Sequence, residues 1–104
     1  MGLDVTATYN RASDLCLTTR ITSANNIKGS AGKLFWLLVS NANASMRHFS
    51  LHNATSGTTG LVHKFYMKAE DTHLFNFDPP IPFDTGIRIG EIEHADITMV
   101  GGYV

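Results

Sequence analysis

Five histidines, His48, His52, His63, His73 and His94, carry the most obvious chemistry in this 104-residue chain. His48 and His52 are four residues apart. On a helix that spacing would aim two imidazoles at one metal ion. On a strand the same step covers ~13 Å, whereas each ligand of a zinc site lies ~2 Å from the metal. A turn through Gly57 and Gly60 could bring His63 back beside His52. Two imidazoles still fall short of the three or four protein ligands that zinc takes. No metal is therefore assigned. The histidines matter at least as charges, because imidazole titrates near neutrality. Protonating all five would turn the formal net charge of −1 positive. That leaves two readings open, a pH-sensitive assembly and a plain solvated face.

Nucleophilic catalysis finds no support. Ser13-Asp14 and Asp71-Thr72-His73 place suitable atom types close in sequence, without the nucleophile elbow that would expose a reactive serine. Glu91, Glu93, His94 and Asp96 form the densest polar cluster. On a strand Glu91 and Glu93 share one side, where they either crowd each other or simply end the strand in solvent. Gly29-Ser30-Ala31-Gly32-Lys33 lacks the glycine spacing and the helix of a phosphate loop. Asn43-Ala44-Ser45 and Asn53-Ala54-Thr55 match the N-glycosylation pattern, but their composition also suits turns. The lone Cys16, between Leu15 and Leu17, reads as a buried, inert thiol. The chain is accordingly not expected to be an enzyme or to hold a cofactor.

Partner classes narrow in the same way. The eight basic residues are scattered, so neither nucleic acid nor an anionic membrane surface finds a concentrated footprint. The longest apolar run, 34–39, is far short of the ~20 residues of a membrane helix. The N-terminus has no basic patch followed by an apolar stretch, which points to a start in a cytoplasm.

Alternation dominates the chain. Leu3, Val5, Ala7 and Tyr9 share a parity, as do Leu15, Leu17 and Ile21, Phe49 and Leu51, Phe65 and Met67, and Phe75 and Phe77. Ile87 and Ile89 straddle Arg88, and Ile97 and Met99 straddle Thr98. This is the period of half-buried strands. Turn-rich segments at 25–32, 41–45, 55–60 and 69–72 separate them, and Pro79, Pro80 and Pro82 force an extended path. No helical periodicity is visible. The pattern predicts one all-β domain over 1–104, an antiparallel β-sandwich of jelly-roll or Greek-key type with about eight short strands. Residues 1–10 are expected to be an N-terminal arm or an edge strand.

Residues 34–39, Leu-Phe-Trp-Leu-Leu-Val, break the alternation by being apolar on both faces. They form either a central covered strand or a strand with one face against a partner. Leu34, Trp36 and Leu38, of one parity, are candidate interface residues, with Leu3 and Val5 of the arm. A second possibility is a ligand site on the loops 41–45 and 55–60, with Asn43, Asn53 and Tyr66 as its residues. Tyr66 and Trp36 would then supply rings for stacking on a sugar.

Several segments together resemble a known group. They are 37–41 (Leu-Leu-Val-Ser-Asn), 47–54 (Arg-His-Phe-Ser-Leu-His-Asn-Ala), 80–89 (Pro-Ile-Pro-Phe-Asp-Thr-Gly-Ile-Arg-Ile) and 96–100 (Asp-Ile-Thr-Met-Val). Their order is similar to that in small β-sandwich virion structural proteins of tailed bacteriophages, over residues 33–100. The histidine content and the Phe35-Trp36 pair depart from the usual Ala- and Gly-rich examples, and the resemblance carries no catalytic residue. It implies a capsid decoration or cement protein, or a subunit of a tail or fibre that binds carbohydrate or a receptor. Its partners would be the major capsid protein or other virion proteins. It would itself be a homo-oligomer, with a trimer favoured, placed in the virion after assembly in the host cytoplasm. A third reading, a metalloenzyme resembling the cupins, lacks their closely spaced His-x-His and downstream Glu.

Overall fold

The computed structural model describes residues 15–104. Eight strands follow in order: β1 (Cys16–Leu17), β2 (Asn25–Lys28), β3 (Gly32–Asn41), β4 (Arg47–Asn53), β5 (Leu61–Met67), β6 (Asp71–Phe83), β7 (Ile87–Ile92) and β8 (Ile97–Tyr103). Every pairing is antiparallel. β4 pairs with β5, β3 with β6, β2 with β7 and β1 with β8. The chain is thus one long hairpin, doubled back at the β4–β5 turn. It rolls up because β3 also pairs with β8, and β4 with β7. The result is two four-stranded sheets, sheet A in the order β1-β8-β3-β6 and sheet B in the order β2-β7-β4-β5. This is a jelly roll, and the expectation of an all-β sandwich holds.

The core lies between the sheets and is built from the alternating residues. Leu37 and Val39 of β3, Phe49 and Leu51 of β4, Ile87 and Ile89 of β7, and Ile97 and Met99 of β8 are buried. Phe49 stacks on Phe65 at 4.9 Å between ring centroids, and Phe75 meets both rings edge-on. Asn41 is buried as well, and it fastens the two sheets at one end. Its amide nitrogen donates to the carbonyls of Lys68 (2.9 Å) and Ser45 (3.1 Å), and its Oδ1 accepts from Asn43 N.

Two bulges decide which side chains face in. Leu34 pairs with Tyr103 and Trp36 with the adjacent Gly102, so Phe35 is an extra residue on β3. Neighbouring residues of β8 face opposite ways, and therefore so do Leu34 and Trp36. On β7, Glu91 pairs with Ser50 and Ile89 with Leu51, which leaves Gly90 unpaired.

Three expectations are corrected here. Leu34 is fully buried, so it belongs to the core and not to an interface; the bulge at Phe35 breaks its parity with Trp36 and Leu38. Cys16 is exposed, on a two-residue edge strand that nothing covers among the described residues. Leu17 is also exposed, because the chain leaves regular pairing after it and only Ile21 turns inward again, opposite Met99.

Candidate functional site

The outward face of sheet A is the surface most unlike its surroundings. Cross-strand partners share a face, so the register builds it row by row. Leu17, Gly102, Trp36 and Asn76 form one row. Val100, Leu38 and Leu74 form the next. Thr98, Ser40 and Thr72 close it, with Thr72 Oγ1 donating to Ser40 Oγ at 3.4 Å. None of these ten residues ionises. Leu17 is 68 % exposed, Leu74 54 % and Leu38 42 %, so the apolar patch is contiguous and open to water. Trp36 is half-buried because its indole lies flat over Gly102, where any Cβ would run into the ring. Arg20 stands at the margin of a shallow recess of about 170 Å³ beside Leu38, Ser40 and Thr72.

The outward face of sheet B is the opposite in character. It carries Tyr66, His48, Lys64, Ser50, Glu91, His52 and Arg88. His48 lies between two carboxylates, with Nε2 3.2 Å from Glu91 Oε1 and Nδ1 3.2 Å from Glu93 Oε1. Both ring nitrogens can donate together only in the imidazolium form. Arg47 adds a looser contact to Glu93 at 3.8 Å. Glu91 and Glu93 thus share one side, and His48 separates them. The ring of Tyr66 lies 5.6 Å from that of His48 and is 63 % exposed.

The loop 54–60 covers the other end of this face. Arg88 Nε donates to Gly57 O (3.0 Å) and Asn26 Nδ2 to Thr55 O (2.9 Å). Beneath the loop Ser50 and His52 are buried, with Ser50 Oγ 2.7 Å from His52 Nε2 and His52 Nδ1 2.9 Å from Thr59 O. Because a carbonyl can only accept, Nδ1 carries a proton, and in the neutral ring Nε2 then accepts from the Ser50 hydroxyl. The pair resembles a catalytic serine–histidine couple in distance alone. The hydroxyl is shut away from solvent, and the Gly90 bulge gives the imidazole its space. Its chemistry is that of a satisfied polar contact that pins the loop.

The histidines do not converge. His63 lies opposite inward-facing Leu51, while His52 faces outward, so the two point to different sides of sheet B. Among the described residues no group of three or more His, Cys, Asp or Glu is placed to hold a metal ion.

The proposed ligand loops are also parted. Asn43 precedes β4 and Asn53 ends it, so the strand holds them ~20 Å apart. Both are occupied in fixing turns. Asn43 Oδ1 accepts from Ser45 N (2.9 Å) and Arg47 Nε (3.2 Å), and its Nδ2 donates to Asp96 (3.0 Å). Asn53 Oδ1 accepts from Thr85 N (2.9 Å) and Gly86 N (3.3 Å), and its Nδ2 donates to Asp84 (2.7 Å). Tyr66 lies at the Asn43 end of the sheet, so Asn43, Asn53 and Tyr66 do not form one site.

Of the candidate interface residues, Trp36 and Leu38 reach the outward face of sheet A, Leu34 does not, and Leu3 and Val5 lie outside the described residues. Leu17, Leu74 and Val100 join the face without having been singled out from sequence. Leu74 lies between His73 and Phe75, and Val100 between Met99 and Gly101, and only the register reveals that both oppose Leu38. No protein-family model, no curated protein and no solved structure matches this chain.

Proposed function

We propose that the protein is a non-enzymatic assembly module, a structural component of a phage particle that binds and stabilises the head through protein–protein contacts. The observation that carries this is the outward face of sheet A, whose ten cross-strand partners include no ionisable group and where Leu17, Leu38 and Leu74 are open to water around Trp36. A monomeric domain seldom leaves so connected an apolar surface unless something docks on it. Its geometry suits a protein partner. Four strands present a flat surface with an indole near its middle, and aromatic anchors of this kind dominate interface energetics. The contrast with the ionic face of sheet B gives the domain a defined polarity, one side to adhere and one to remain solvated. The similarity of 33–100 to small virion β-sandwiches supplies the kind of assembly.

The major capsid protein is the partner on this reading, and the role is adhesive. It ties neighbouring capsid subunits together and resists internal pressure. Particles made without the protein should release their contents at a lower temperature and in lower salt than complete particles, measured by dye access to the packaged nucleic acid during a thermal ramp. Equal stability of the two kinds of particle would overturn the cement role.

A further inference from the structure

Sheet A ends at β6, and among the described residues that strand has no partner on its outer side. The direction of its backbone groups follows from the far side of the sheet. Met99 of β8 exchanges two hydrogen bonds with Ile21, at 2.8 and 3.0 Å, so its N–H and C=O point away from β3. Val39, opposite Met99, then bonds to β6, where it faces His73. Bonding direction alternates along an antiparallel strand. Asn41 and Leu37 therefore bond to Asp71 and Phe75, and Thr72, Leu74 and Asn76 aim their N–H and C=O groups at the open edge. Farther along, Pro79, Pro80 and Pro82 guard β6 by having no N–H to offer. Residues 72–77, Thr-His-Leu-Phe-Asn-Phe, contain no proline and none of Lys, Arg, Asp or Glu.

Beneath this edge the two sheets do not close. Phe75 and Phe77 are only half-buried, although they pack against the core, 4.8 Å and 6.4 Å from Phe65 between centroids. His73 is exposed, 4.4 Å from Phe75. A recess of about 270 Å³ opens between β5 and β6, lined by Tyr66, Met67, Lys68, Asp71, His73 and Phe75. A free backbone edge thus coincides with an incompletely covered aromatic seam.

We propose that residues 72–76 of two copies pair antiparallel across a two-fold axis at Leu74, joining their A sheets into one continuous sheet. That register sets Leu74 against Leu74 and Thr72 against Asn76, so every free donor of the three residues meets a free acceptor. His73 faces Phe75 of the second copy over the seam. Phe77 of the second copy falls opposite Asp71, at the recess. Neighbouring registers fail. An axis at His73 would set Asn76 against Glu70, whose φ of 56° takes it out of the strand. An axis at Phe75 would set Thr72 against Asp78, past the point where β6 leaves register with β3. The stretch is its own complement in backbone groups, in side chains and in its lack of charge, which identifies a second copy as the occupant. An isologous contact of this kind closes at the dimer, not at the trimer that the resemblance implies. The row Val100, Leu38 and Leu74 continues across the axis into the same row of the second copy, so pairing doubles the outward face. The pairing itself does not rest on the assembly reading.

Light scattering after size exclusion on the full chain should give twice 11.4 kDa. Leu74→Pro deletes an N–H that points only at the open edge, so this variant should fold and run at 11.4 kDa. Cross-linking reads the register, in a Cys16→Ser background because Cys16 is exposed. Leu74→Cys should join two copies by a disulfide under mild oxidation, since directly opposed, hydrogen-bonded residues have Cα atoms ~5.5 Å apart, within disulfide reach. Thr72→Cys should not, because its two copies stand ~13 Å apart along the strands. A monomeric wild type would overturn the proposal, even one whose amides at 72, 74 and 76 resist exchange, since the chain then covers its own edge. A dimer that persists in Leu74→Pro, or Thr72→Cys linking as readily as Leu74→Cys, would overturn it too. Leu38→Asp separates this inference from the assembly reading. It should keep the dimer and lose particle binding. Loss of the dimer in Leu38→Asp would overturn edge pairing, whereas a dimeric wild type that binds no particles would sink the assembly reading alone.

Discussion

Asp84 shows how single residues hold the loops that frame the sheets. Hydrogen bonds from Asn53 Nδ2 and, to a smaller extent, Thr85 Oγ1 stabilise its carboxylate and hold its pKa below the ordinary 3.8. A depressed carboxyl pKa stabilises the fold at pH values above the unfolded value, and that contribution is lost as the pH falls through the folded one. The relevant window therefore lies below pH 3.8. Asn53→Ala removes the larger cause, so the Asp84 titration followed by carbon NMR should move up towards the ordinary value. An unmoved titration would show that Asn53 does not set it. Ser50 is a second case. Ser50→Ala leaves His52 Nε2 buried without a donor, and an unpaired buried polar group costs about 1–3 kcal/mol. Urea unfolding should show a loss of that size, with the loop 54–60 becoming more open to proteolysis. These contacts were not legible in the sequence. The atom types of Ser50 and His52 were plain, but their burial depends on a loop folding back and on an unpaired glycine across the sheet.

At the scale of elements, the alternation of Phe49 with Leu51, Phe65 with Met67, and Ile97 with Met99 announced strands and their inward faces correctly. It failed where a bulge intervened. Leu34, Trp36 and Leu38 look equivalent by period two, and one extra residue, Phe35, sends Leu34 into the core. Nothing local in Leu-Phe-Trp-Leu-Leu-Val marks the bulge, because both faces of that stretch are apolar. The two adjacent glycines of β8, Gly101 and Gly102, have a packing reason. Gly101 makes room for Leu37 inside and Gly102 for Trp36 outside. Gly102→Val should lift the indole from the sheet. Overpacking of this sort costs about 1–3 kcal/mol, and Trp36 fluorescence should shift to the red as the ring meets water. Unchanged emission and stability would mean that Gly102 is not the floor of the indole site.

The whole molecule is a rolled hairpin whose two outer faces differ in kind. Antiparallel strands, turn spacing and the absence of helical period were enough to read a β-sandwich, and the strand order resolves the choice between sandwich types as a jelly roll. Jelly rolls serve capsids, lectins and metal enzymes alike, so the fold alone does not choose a function. The surfaces do. Sheet B ties its charges into pairs and loop contacts on a solvated face, while sheet A turns Leu17, Leu38 and Leu74 outward with no charge among them. The face was half legible in sequence, through Trp36 and Leu38, because register with β6 and β8 is needed to add Leu74 and Val100. The most direct test of its role is adding purified protein back to particles that lack it, and measuring what co-sediments. Wild type should bind to saturation, and Leu38→Asp, folded and of unchanged solution mass, should lose at least tenfold in affinity. Equal binding by the two proteins would contradict the assignment of this face to assembly.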